Sequence, residues 1–234
     1  MRRHSPQRAL QAIRALTELI IPKRCLICTA PLTIPMSLCP HCAPRSLKLQ
    51  QHEQANAPLP PLITLSLSHY HGPLNEHLTL AKRGDITLMW SLAELTQALT
   101  PQTITEALGK RPELIAPIPP RLARLAQRGA SLPDLIAQRV SDLLKTPTSL
   151  EALKRTQHTP PQSTLSRAAR LSAQRGSLRA SGVEGQAVLL IDDVMTTGAT
   201  LLEAQRACLA AGASHVSALC LMRADLIENV GVIL

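Results

Sequence analysis

The C-terminal third of the chain carries its clearest pattern of apolar and polar positions. Ala187 to Ile191 are apolar without a break, as expected of a strand buried on both faces. The stretch predicts a strand over 186–191, a helix over 200–211 and a second strand over 215–222. Strand, helix, strand at these lengths is a βαβ crossover, so the predicted fold class is α/β: a parallel sheet with helices on both faces. Upstream, "ITLSLSHY" (63–70) alternates like a half-buried strand, and a helix is predicted to begin near Pro73 and end before Gly84. Leu88, Leu92, Leu95 and Leu99 share one face of a helix over 86–99; "ELIAPIP" (113–119) reads as a short buried strand, and 121–128 and 134–144 are helical in pattern.

Two stretches lack a period. Residues 46–62, rich in Pro, Gln and Ala, read as a linker, and 155–182 is a long polar stretch of Arg, Gln, Ser and Thr. At the start, Leu10, Ile13, Leu16, Leu19 and Ile20 predict an amphipathic helix over 1–21 that closes at Pro22; packing on its own protein is the expectation, contact of its basic face with a membrane surface or nucleic acid the alternative. Arg2, Arg3, Arg8, Arg14 and Glu18 interrupt any signal core, and no run approaches the roughly 20 apolar residues of a membrane span. The expected location is cytoplasmic.

Charge and cysteine change this picture. The formal net charge is +9, concentrated in residues 1–59 and 121–179. Such fields attract phosphate in any form and do not choose between a small polyphosphate and a nucleic acid. Cys25-Leu-Ile-Cys28 and Cys39-Pro-His-Cys42 form two tight CxxC pairs, whose four sulfurs suit a tetrahedral structural Zn site. Two disulfides or a redox-active pair are the alternatives; the first needs an oxidising compartment, which the lack of a signal-like start argues against, and a redox CxxC rarely comes as a doublet. Metal binding would then supply the folding free energy of a ribbon over 22–45. Cys208 and Cys220 read as ordinary buried residues.

The crossover also carries candidate chemistry. Asp192 and Asp193 follow the apolar run, and Thr196, Thr197, Gly198, Ala199 and Thr200 lead into the helix. Unpaired amides and the helix dipole favour an anion there, Gly198 allows close backbone approach, and open α/β sheets bind ligands at this edge. The two acids suit neutral hydroxyls or a divalent cation. A ribose 5-phosphate presents both demands. Lys82 and Arg83 read as helix C-terminal charges.

"VLLIDDVMTTGAT" (188–200) resembles the phosphoribosyl pyrophosphate (PRPP) motif of type I phosphoribosyltransferases. With the cysteine ribbon, "APIPPRLARLAQRG" and "HTPPQSTLSRAARL" preceding it, the chain resembles the ComF/GntX family of competence-protein-F-like phosphoribosyltransferase homologues over residues 22–224. The resemblance implies a phosphoribosyltransferase-like domain over 63–224 and a tail over 225–234. It implies that Asp192 and Asp193 contact the ribose hydroxyls directly or through Mg²⁺, while residues 196–200 wrap the 5′-phosphate. Ile118 and Pro119 match the loop near the pyrophosphate, Arg121, Arg124 and Arg128 would neutralise it, and 155–175 match the mobile loop that closes such sites. Ala130, Ser131 and Leu132 depart from the family, whose members usually carry an aromatic and two amides there. The implied activity is transfer of phosphoribose from Mg-PRPP to an acceptor. The other implied class is a DNA-uptake accessory that binds DNA, single-stranded DNA included, through its basic face and ribbon. Tyr70 and Trp90 are the only Phe, Tyr or Trp side chains, too few for a base-stacking platform, so such binding would rest on phosphate contacts.

Overall fold

The computed structural model describes residues 23–32, 36–70, 72–121, 125, 129–156 and 176–224. The predicted N-terminal helix and the C-terminal tail lie outside them. A five-stranded sheet forms the centre, built from β1 (Gln50–Asn56), β2 (Leu59–His69), β3 (Leu114–Pro117), β6 (Ala187–Met195) and β7 (His215–Arg223). Its order is β1-β2-β7-β6-β3, with β1 antiparallel to β2 and the remaining pairs parallel. A two-stranded antiparallel hairpin, β4 (Leu153–Arg155) and β5 (Leu178–Ala180), stands apart.

Strand periodicity divides the core. Leu65, Leu67, Ile115, Leu189, Ile191 and Leu219 face one side and pack with α2 (Pro73–Ala81), α3 (Ile86–Ala93), α4 (Pro101–Leu108) and α5 (Leu132–Leu144), which follow the four-residue α1 (Ala43–Ser46). Leu62, Ala116, Val188, Leu190 and Ala218 face the other side, under α6 (Ala199–Ala210) and the hairpin. Helices thus cover both faces, as the βαβ pattern predicts. Cys208 and Cys220 are buried in the second cluster as free thiols, and burial pushes the Cys208 thiol up to about 12.

Three elements differ from expectation. Residues 46–62, read as a linker, contain β1 and the start of β2. The inward positions of β1 are Gln50, His52, Gln54 and Asn56, so its alternating burial has no apolar signature in the sequence. The strand expected over 186–191 runs to Met195, because β7 continues beside it with Asp192 opposite Cys220 and Met195 opposite Arg223. Arg155, expected at the start of a mobile loop, belongs to β4 and pairs with Leu178; residues 157–175 lie outside the described residues.

The topology locates the working edge. From β3 the chain passes through α5 to Thr148, which bridges the outer edge of β3 in parallel. From β6 it passes through α6 to β7, on the opposite side. Adjacent strands whose connections diverge form a topological switch point, and ligands of open α/β sheets bind outside the carboxyl ends of such strands.

Candidate functional site

The switch point gathers most of the residues singled out in the sequence. Beyond β3, the Ile118 N–H donates to Ile191 C=O at 2.8 Å, so the Ile118–Pro119 turn lies against β6. Pro119 C=O accepts from Arg155 Nε at 2.8 Å, which ties the hairpin to the same edge. Arg121 follows and is partly exposed; Arg124 and Arg128 lie outside the described residues. After β6, Thr196 is exposed, Thr197 and Thr200 are half-buried, and Gly198 and Ala199 are buried.

Gly198 is the N-cap of α6 and adopts φ 73°, ψ 0°, a left-handed conformation that favours glycine. A Cβ there would also lie 2.2 Å from the Gln54 side chain. The Gln54 side chain of β1 thus packs directly against the loop. Asn56 extends this contact along α6, donating to Gln205 Oε1 at 2.7 Å and to Leu202 C=O at 3.2 Å. Composition gave no sign of this polar stripe; its alternation of Gln, His, Gln and Asn was the one available signal.

Adjacent residues of a strand point to opposite faces, and the acidic pair obeys that rule. Asp193 lies on the α2 side, where its Oδ2 meets Lys82 Nζ at 3.0 Å. Asp192 lies toward Cys220 and Arg155. Burial, with the neighbouring Asp193 charge adding to it, pushes the Asp192 carboxyl up to about 7; the Asp193 N–H, Lys82 and Arg155 act in the opposite sense. Lys82, read from sequence as a helix C-terminal charge, is an ion-pair partner of the candidate site.

Ser131 and Leu132, at the departure from the family pattern, have structural uses. Ser131 caps α5, accepting from the Asp134 N–H at 3.4 Å, and Leu132 is buried in the core. A cleft of about 790 Å³ lies between the β1–β2 turn and α6 and meets the β6–α6 loop at Ala199. Asp192 and Asp193 do not line it.

The ribbon brings Cys25, Cys28, Cys39 and Cys42 together, with all four sulfurs within 4.8 Å of one another. A tetrahedron with Zn–S bonds of about 2.3 Å has edges of about 3.8 Å. The Cys28–Cys39 sulfur separation is 3.7 Å, and all four thiols are free, so the set fits zinc. Burial, then the hydrogen bonds its thiol donates to neighbouring cysteines, push Cys42 up to about 12. Four thiolates cannot accumulate here without a cation. Leu26 and Leu38 join the main core, and buried Glu94 holds both knuckles: Lys23 Nζ lies 3.1 Å from it, and Ser37 Oγ donates to it at 2.9 Å. Leu26 C=O accepts from His77 Nε2 of α2 at 2.6 Å.

Among the described residues no helix is long and apolar enough to cross a membrane. The family model for the phosphoribosyl transferase domain matches residues 126–226, which include β6, α6 and the loop between them. The DNA utilization protein YhgH of Escherichia coli O157:H7 is 30% identical over 207 residues, covering 85% of this chain and 89% of its own. The protein of that name from E. coli K12 is 29% identical over 205 residues with the same coverage. A crystal structure of adenine phosphoribosyltransferase from Leishmania tarentolae aligns with 77% of this chain and 97% of that one, at 14% identity and a TM-score of 0.39, too weak a likeness to carry any conclusion about the site. Similarity to YhgH at 30% identity over most of both chains, joined to the matched domain, shows that this chain belongs to the ComF/GntX family of phosphoribosyltransferase-like proteins.

Proposed function

We propose that this protein binds Mg-PRPP and transfers its phosphoribosyl group to an acceptor, releasing pyrophosphate. One observation carries the reading: an acidic pair and a glycine-turned, threonine-rich helix start lie at the carboxyl ends of diverging strands. Thr196, Thr197, Gly198, Ala199 and Thr200 take the 5′-phosphate, where the first amides of α6 lack intrahelical partners. Asp192 and Asp193 take the ribose hydroxyls, directly or through the metal, and offset positive charge developing on the ring. Ile118 and Pro119 border the pyrophosphate, with Arg121, Arg124 and Arg128 neutralising it and residues 155–175 excluding water. Bound Mg²⁺ would supply positive charge to the departing pyrophosphate. The cysteine cluster holds zinc in a structural role and takes no part in the transfer.

Pyrophosphate release, measured across purine, pyrimidine and amine acceptors with Mg-PRPP as donor, tests this. Turnover with at least one acceptor is expected. Binding of PRPP without release for any acceptor would make the protein a PRPP-binding regulator rather than a transferase.

The curated relatives bear the name DNA utilization protein, which favours a second reading in which basic residues and the ribbon contact DNA. Filter binding of single-stranded DNA against salt checks it. Phosphate contacts predict a log–log slope near about −0.7 for each phosphate engaged, and a flat response would remove the reading.

A further inference from the structure

Both oxygens of the Asp193 carboxylate are already engaged. Its Oδ1 accepts from the Val194 N–H at 2.7 Å, and its Oδ2 meets Lys82 Nζ at 3.0 Å. A divalent cation at this carboxylate therefore competes with the Lys82 charge, whereas a ribose hydroxyl can use a remaining lone pair. The Val194 N–H is fixed by the strand, whereas the Lys82 ammonium rides on a flexible four-carbon stem whose side chain is 32% exposed. Lys82 is the partner that can leave.

Its anchoring sets where it can go. Lys82 caps α2, its backbone N–H bonded to Leu78 C=O, and buried Leu78 and Ala81 fix that end of the helix in the core. Lys82, Asp193, Pro120 and Ser131 line one cavity of about 30 Å³, enough for a water-sized group. Pro120 continues the β3-end turn of Ile118 and Pro119, so Lys82, the carboxylate and the turn assigned to the pyrophosphate border the same space.

We infer that Lys82 is an exchangeable counter-ion of the site: it occupies Asp193 in the ligand-free protein and moves to the pyrophosphate oxygens when a divalent cation and PRPP take its place. The exchange keeps a positive charge on Asp193 in both states, and it converts a competitor of the metal into a ligand of the substrate. The inference rests on the PRPP reading above, and it makes the two ligands respond in opposite directions to loss of the lysine.

The test compares wild type with Lys82→Met, with Lys82→Gln as a second replacement should the first fold poorly. Mn²⁺ alone is titrated by water-proton relaxation, and Mg-PRPP by calorimetry. Without the ammonium, Mn²⁺ binds about threefold to fivefold tighter, since a competing ion pair is gone. Mg-PRPP binds about tenfold weaker, since a charge-assisted contact is lost. Affinities that both stay unchanged, or both move the same way, overturn the inference. A wild type that binds Mn²⁺ but no Mg-PRPP instead contradicts the PRPP reading, and the Mn²⁺ comparison then still decides whether Lys82 competes for Asp193.

Discussion

At the scale of single residues, the acidic pair shows how a strand gives two identical side chains different work. Asp193 forms an ion pair with Lys82, while Asp192 is pressed toward its neutral form by burial, to about 7. A carboxyl raised on folding costs nothing below its unfolded value of about 3.9, where both states are protonated. As pH rises from there to about 7 the unfolded state ionises first, so stability falls across that window and levels off above it. Asp192→Asn should flatten this dependence and leave the protein more stable at neutral pH, measured by urea unfolding between pH 4 and 8; an unchanged profile would contradict the assignment. Such a penalty is typical of a carboxylate kept for a ligand. The motif that contains the pair was legible in the sequence because its residues are contiguous. Lys82 lies 111 positions before Asp193, and nothing local distinguishes it from any lysine that ends a helix.

At the scale of elements, legibility followed apolar pattern. The β6–α6–β7 unit was readable because its strands are continuous apolar runs. β1 was not, since Gln50, His52, Gln54 and Asn56 occupy its inward positions, where Gln50, His52 and Asn56 hydrogen-bond to His69, Ser66 and Gln205 and Gln54 packs against Gly198. Helix α4 carries local signals, a Thr100 capping box, Pro101 in the first turn and a left-handed Gly109 after its end, but only Ile104 and Leu108 are buried on it, too short an apolar stripe to mark a helix. The ribbon was recognisable from cysteine spacing, but its docking was not. Because Glu94 is buried and shared by Lys23 and Ser37, metal and docking contacts should stabilise the ribbon together. Glu94→Ala should destabilise the protein by about 3 kcal/mol, as loss of one partner of a buried pair does, and hasten zinc loss to a chelator. Denaturant unfolding and chelator-indicator kinetics measure the two effects. Zinc release at the wild-type rate would mean that the ribbon holds its metal without help from the core.

At the scale of the whole molecule, the sheet order brings together segments far apart in sequence: the turn after β3, the end of β6, the cap of α2 and the β4–β5 hairpin. The cysteine ribbon adjoins the helical face that carries α2, joined to it by His77, and α2 is the helix that ends at Lys82. The account depends on this edge being a Mg-PRPP site. Calorimetric titration of PRPP with Mg²⁺ into wild type and into Asp192→Asn/Asp193→Asn tests it most directly. The account predicts saturable binding to the wild type and at least about a tenfold loss of affinity in the double variant, the equivalent of one charge-assisted contact. Equal affinity in the two proteins, or no binding to the wild type, would contradict it.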